Sequence, residues 1–132
     1  MSLKYWFFIA ALFAAAVAPI EAHHSIASYY DASKTSTITG TLTRVEWRSP
    51  HVFFFIDVKD ESGAVTSWGV EHASPQSLYR AGCRKDDIAI GSLVEVDIMP
   101  GLRDNHSGRV RVIKYNGKRF FELGVGAVNT AE

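Results

Sequence analysis

A small all-β barrel of five to six strands, with one short helix between the third and the fourth, is the fold the sequence predicts. Three observations carry it. Period-two alternation of apolar and polar residues recurs in short runs along most of the chain. The one helix signal, Ser74-Pro75, falls between the third and fourth of those runs. The first run changes parity midway, and a strand that does so bends, as closure of a small barrel requires. Strand order and helix position together make the barrel OB-like. A sandwich of the immunoglobulin kind would not place a helix there.

Residues 1–22 read as a signal peptide. Lys4 supplies the positive charge, Tyr5 to Ile20 is free of charge, and Pro19-Ile20-Glu21-Ala22 offers a small residue at the exit. The apolar run is shorter than the roughly 20 residues a membrane-spanning helix needs, so cleavage after Ala22 is expected, with no stable membrane insertion afterwards. This predicts a periplasmic or secreted protein. Residues 23–34 form a polar lead-in that carries the aromatic pair Tyr29-Tyr30, and 35–132 form the barrel domain.

The first strand spans Thr35 to Trp47, rich in Thr, Ile and Val. Its inward residues are Ile38 and Leu42, then Val45 and Trp47, and the slip predicts a β-bulge near Thr43-Arg44. Ser49-Pro50 breaks the run. His51 to Lys59 is the second strand, with Val52, Phe54, Ile56 and Val58 on one face and Phe53, Phe55 and Asp57 on the other. Glu61-Ser62-Gly63 turns the chain into the third strand, Ala64 to His72, with Trp68 and Val70 inward. Ser74 caps a helix that Pro75 begins and Gly82 stops, with Leu78 and Ala81 on its buried side. Leu93 to Met99 places Val94, Val96 and Ile98 inward, and Arg109 to Tyr115 places Val110 and Val112 inward. Asn116-Gly117 then signals a hairpin into a last short strand around Phe120.

Apolar residues make up 47% of the 132 and charged residues 21%, the balance of a globular chain. Net charge is zero, and removing Lys4 with Glu21 keeps it so. A neutral domain has no general pull on nucleic acid or on anionic lipid, so nucleic acid is not an expected partner. Cys83 is the only cysteine, so no internal disulfide forms and the core must hold the fold.

Several short motifs then stand together: His23-His24-Ser25, Ile38-Thr39-Gly40-Thr41-Leu42, Ser49-Pro50-His51-Val52, Ser74-Pro75, Arg80-Ala81-Gly82 and the Gly91 turn. In this order they resemble the domain-of-unknown-function family 6152, small exported bacterial proteins. The resemblance covers nearly all of the chain after residue 22 and implies an exported OB-like barrel with no established activity. Two positions depart from the family pattern. Cys83 stands where an aromatic residue is usual, and His72 where a small or apolar one is.

No G-x-S-x-G elbow, H-E-x-x-H pair or phosphate loop occurs, so the chain reads as a binding module and not as an enzyme. Cleavage after Ala22 would free the α-amine of His23, which with its imidazole can chelate Cu(II). His24 or His51 would supply the opposing nitrogen, an arrangement like the histidine brace of some exported copper proteins. These three histidines are the candidate metal ligands, and copper is the candidate cofactor. A copper oxidoreductase is the enzymatic version, ranked last.

Phe53, Phe55 and His72 are the candidate ligand-binding residues. His72 ends the third strand, toward the barrel mouth where His51 begins the second. Outward aromatics on the second strand are how OB barrels stack bases or sugars. The competing arrangement folds Tyr29-Tyr30 over them, and the scarcity of exposed aromatic patches favours that cover. His106 reads as exposed. Arg109, Arg111, Lys114, Lys118 and Arg119 read as a solvated strand face, Glu71 and His72 as pointing apart, and Cys83 as a packed thiol. The expected partner is a small ligand or a metal; a cell-envelope protein bound through Phe53, Phe55 and a strand edge is the alternative.

Overall fold

In the computed structural model, which describes residues 26–122, the alternating runs become six strands. They are β1 Ser36–Glu46, β2 Phe53–Lys59, β3 Val65–Glu71, β4 Leu93–Pro100, β5 Ser107–Tyr115 and β6 Lys118–Phe120, with helix α1 Pro75–Arg80 between β3 and β4. The expected signal peptide, His23 and His24 lie outside the described residues. Among those described, no helix is long and apolar enough to cross a membrane.

The strands pair in the order β3-β2-β1-β4-β5-β6, and a parallel pairing of β3 with β5 closes the first five into a barrel. That is the OB arrangement, with β6 added outside. β1 serves two neighbours: its first half pairs with β4 and its second with β2. The bulge that permits this is where the parity slip predicts it. Leu42 opposes Ile56 and Arg44 opposes Phe55, which leaves Thr43 as the extra residue. Ile38 and Leu42 are buried before it, while Val45 and Trp47 pack against the core after it.

The core runs through the barrel as Leu42, Val52, Phe54, Ile56, Val70, Val94, Val96, Ile98, Val110 and Ile113, each at most 2% exposed. Leu78 of α1 closes one end, and Ala81 and Trp68 pack partly against the same cluster. Ser74 caps α1 through the Ser77 amide, with Pro75 in the first turn. Asn116 and Gly117 both have positive φ, 51° and 73°, as a two-residue hairpin turn of the mirror-image type demands. Phe121 follows β6 back into the barrel and sits 5.0 Å from the Phe54 ring.

One strand departs from expectation. Val112 is buried but faces away from the core cluster, because β5 carries a second register shift: Ile98 opposes Val110 while Asp97 opposes Val112. Arg111 is the extra residue there, and Ile113 takes the inward place opposite Val96. Cys83 is a packed thiol, as expected. Burial, and then the Asp87 carboxylate, raise its pKa, and these outweigh the lowering by a hydrogen bond with the Phe121 backbone and by neighbouring Arg84.

Candidate functional site

The outward face of β2 carries Phe53 and Phe55, stacked at 6.5 Å between centroids. Gly69 of β3 lies directly opposite Phe55 and brings no side chain of its own, so the edge of the Phe55 ring lies 3.5 Å from where a Cβ would stand. The bulge at Thr43 turns Arg44 onto the same face, where its guanidinium lies 3.6 Å over the Phe55 ring. Arg44 pairs with Glu46, which also takes Arg48 at 2.8 Å. The loop between β4 and β5 supplies the far wall through Asp104 and His106, continued by Ser107 at the start of β5. Together with Ser67 these residues line an open groove of about 700 Å³.

The loop is built to hold that position. Asp104 accepts the His106 amide at 2.9 Å, the His106 carbonyl accepts the Gly69 amide at 3.1 Å, and the His106 ring meets Trp68 edge-on at 5.4 Å. The lead-in braces its other side. The Asp31 amide donates to Pro100, the Leu102 amide donates to Tyr29, and Tyr30 bridges to Gly101. Tyr29 and Tyr30 therefore do not cover Phe53 and Phe55, contrary to the arrangement the sequence favoured. No residue of the described lead-in lines the groove.

Beside the groove lies a polar cluster that sequence reasoning missed. Glu71 accepts the Tyr30 hydroxyl on one carboxylate oxygen and meets His51 Nδ1 on the other, with Arg109 Nη1 at 3.8 Å. Burial, and then the carboxylate, push the Tyr30 phenol well above its ordinary pKa, so it stays a donor. Arg109 is thus no part of a solvated face: it is 8% exposed, and parallel pairing sets it opposite Glu71.

His72 is brought to neither His51 nor the groove. It points inward, 2% exposed, with Nδ1 accepting the Ala73 amide and Nε2 donating to the Phe121 carbonyl, each at 2.6 Å. As a ligand-binding candidate it is corrected to a core histidine, held neutral where the family pattern suggests an apolar residue. Glu71 and His72 do point apart. Desolvation lowers the pKa of His72, and the Arg109 charge adds to this against the Phe121 bond. The unfolded chain takes up a proton near the ordinary value of 6.5, the folded one only below it. Between those values the unfolded state binds more protons, so stability is full above pH 6.5 and falls as pH drops beneath it. A melting temperature that declines from pH 7 to pH 5, more steeply in the parent than in His72→Gln, is the expected result. The slope from this residue is at most about 1.4 kcal/mol per pH unit.

Of the metal candidates only His51 is described, and among the described residues no group of three or more His, Cys, Asp or Glu is placed to hold an ion.

The model of the family of unknown function DUF6152 matches residues 11–111. No curated protein matches the chain. Two solved structures are similar to it. One is a mitochondrial single-stranded DNA binding protein from S. cerevisiae, Rim1, at 12% identity and TM-score 0.47, covering 63% of this chain and 93% of that one. The other is the N-terminal domain of PriB from Thermoanaerobacter tencongensis, dimeric in its structure, at 19% identity and TM-score 0.44, covering 63% and 96%.

Proposed function

The chain belongs to the DUF6152 family of unknown function, and from that premise we propose that it is an exported, non-enzymatic binding module whose groove takes a neutral ring-shaped ligand, a carbohydrate. The observation that carries this is the floor of the groove: the stacked pair Phe53 and Phe55, with Arg44 over the second ring and the side-chain-free Gly69 against its edge. The outer face of strands two and three, flanked by the loop between strands four and five, is where OB barrels bind oligonucleotides and oligosaccharides.

Charge favours the second of those classes. Single-stranded nucleic acid is held by a positively charged channel together with its aromatic platforms. Here Arg44 and Arg48 are matched by Glu46, Asp104 adds a carboxylate on the wall, and the whole chain is neutral. Such a lining repels a phosphate backbone about as much as it attracts one. A sugar offers flat C–H faces to Phe53 and Phe55, and hydroxyls to Glu46, Asp104 and His106.

The test is calorimetric titration of the chain, exported from a bacterial host, with cellotetraose, maltotetraose and chitotetraose, and with an oligothymidine of similar length. Saturable binding of at least one saccharide and none of the oligothymidine is expected. Binding of oligothymidine alone, or a co-purifying envelope protein in place of any sugar, would overturn the proposal.

A second reading is Cu(II) held by the amine and ring of His23 with His24 or His51. The Glu71 contact to His51 Nδ1 favours it, since metal-bound imidazoles usually turn their other nitrogen to a carboxylate. It calls for one copper retained in native mass spectrometry and lost in His23→Ala.

A further inference from the structure

We infer that His51 forms a polar subsite at the end of the groove, where its Nε2 accepts a hydrogen bond from a hydroxyl of the bound sugar. This rests on the carbohydrate reading and names the functional group the ligand must present there. Alternation puts His51 on the same outward side as Phe53 and Phe55. On β3, Ser67, Gly69 and Glu71 share that face, with Glu71 opposite Phe53. The His51–Glu71 contact therefore continues the groove floor by one step beyond Phe53.

The direction of the hydrogen bond follows from the carboxylate. Glu71 accepts, so in the neutral ring Nδ1 is the nitrogen that carries the hydrogen, and Nε2 keeps its lone pair. Exposure divides the two partners: the His51 side chain is 45% exposed and that of Glu71 only 14%. The ring that carries the acceptor is half-exposed while the group that orients it is covered. Glu71 is itself held from two further segments, by the Tyr30 hydroxyl of the lead-in and by Arg109 of β5. A histidine that is merely solvated has no use for a covered carboxylate fixing its tautomer.

An acceptor fixed in this way discriminates between ligands. A sugar hydroxyl can donate to Nε2, whereas a phosphate diester or a ketone brings only acceptors and leaves the position unmatched. The same geometry therefore selects a hydroxyl donor over a phosphate at this position. Glu71 is a positioning residue here, and His51 is the one that touches ligand.

The experiment combines long-range proton–nitrogen NMR of the histidine rings with saccharide titration of the full exported chain and its variants, using the tetrasaccharide that binds most tightly. In the parent protein His51 is expected as the Nδ1–H tautomer. Glu71→Gln is expected to shift it toward Nε2–H, because the glutamine amide can donate to Nδ1, and to weaken binding about tenfold. His51→Ala, at an exposed position, should weaken binding by a similar factor with the fold unchanged, which keeps the test intact if Glu71→Gln fails to fold. An Nε2–H tautomer in the parent protein, or undiminished affinity in His51→Ala while Phe53→Ser loses it, would overturn the subsite alone. A parent protein that binds none of the saccharides would overturn the groove reading, and the subsite with it.

Discussion

Gly40→Ala is expected to destabilise the barrel by about 3 kcal/mol or more. The position is on the inward side of β1, one residue before the strand passes from β4 to β2 as its partner. A Cβ there would stand 2.3 Å from the Asp57 carbonyl oxygen and 2.9 Å from the Ile56 side chain. The first contact is with backbone, which cannot swing aside without opening the β1–β2 ladder. At roughly 4–8 °C per kcal/mol for a domain of this size, the melting temperature should fall by at least about 12 °C. Thermal denaturation followed by circular dichroism measures it. A change of less than about 4 °C would mean that β1 and β2 do not cross as closely as described.

Gly69→Leu should do the opposite: leave the fold intact and remove binding. A Cβ at Gly69 would meet the Phe55 ring at 3.5 Å, an ordinary contact, and the backbone there has no positive φ to strain. The hydrogen bond from its amide to His106 is untouched by the substitution. Glycine in a strand interior costs stability, so the variant is expected to melt no lower than the parent and up to about 1 kcal/mol more stable. Its isobutyl group, however, would project past the Phe55 ring edge into the groove that the proposed ligand fills. Phe53→Ser combined with Phe55→Ser reaches the same end by removing the platform, with a loss of about a hundredfold or more in affinity. Both variants are read by titration and by melting temperature together. Retained binding in either would move the site off this face.

Much of the barrel is legible in local pattern. The bulge at Thr43 is written as a parity slip from Leu42 to Val45, the helix start as Ser74-Pro75, and the last hairpin as Asn116-Gly117. The bulge at Arg111 carries the same kind of mark, since Val112 and Ile113 are consecutive apolar residues in an otherwise alternating strand. Reading only Val110 and Val112 there passes over it. The groove is half legible. Phe53 and Phe55 stand out by alternation, but their neighbours Arg44, Asp104 and His106 arrive through a bulge and a loop, which no periodicity describes.

The polar cluster at Glu71 is not legible at all, for a physical reason. Tyr30 is 41 positions from Glu71, and Arg109 reaches it only because β3 and β5 pair in parallel to close the barrel. Closure is a property of the whole sheet, so a glutamate beside a histidine in sequence reveals nothing of which imidazole it will meet. His72 is the immediate neighbour and turns inward; His51, across the β2–β3 pair, is the partner.

Amide-resolved NMR during saccharide titration tests the central claim most directly. The expected shifts gather on Arg44, Phe53, Phe55, Gly69 and His106, the floor and wall of one groove on the outer face of β1, β2 and β3. Shifts centred on α1, β4 or β6 instead, or none with any saccharide, would contradict the assignment of that face as the binding site.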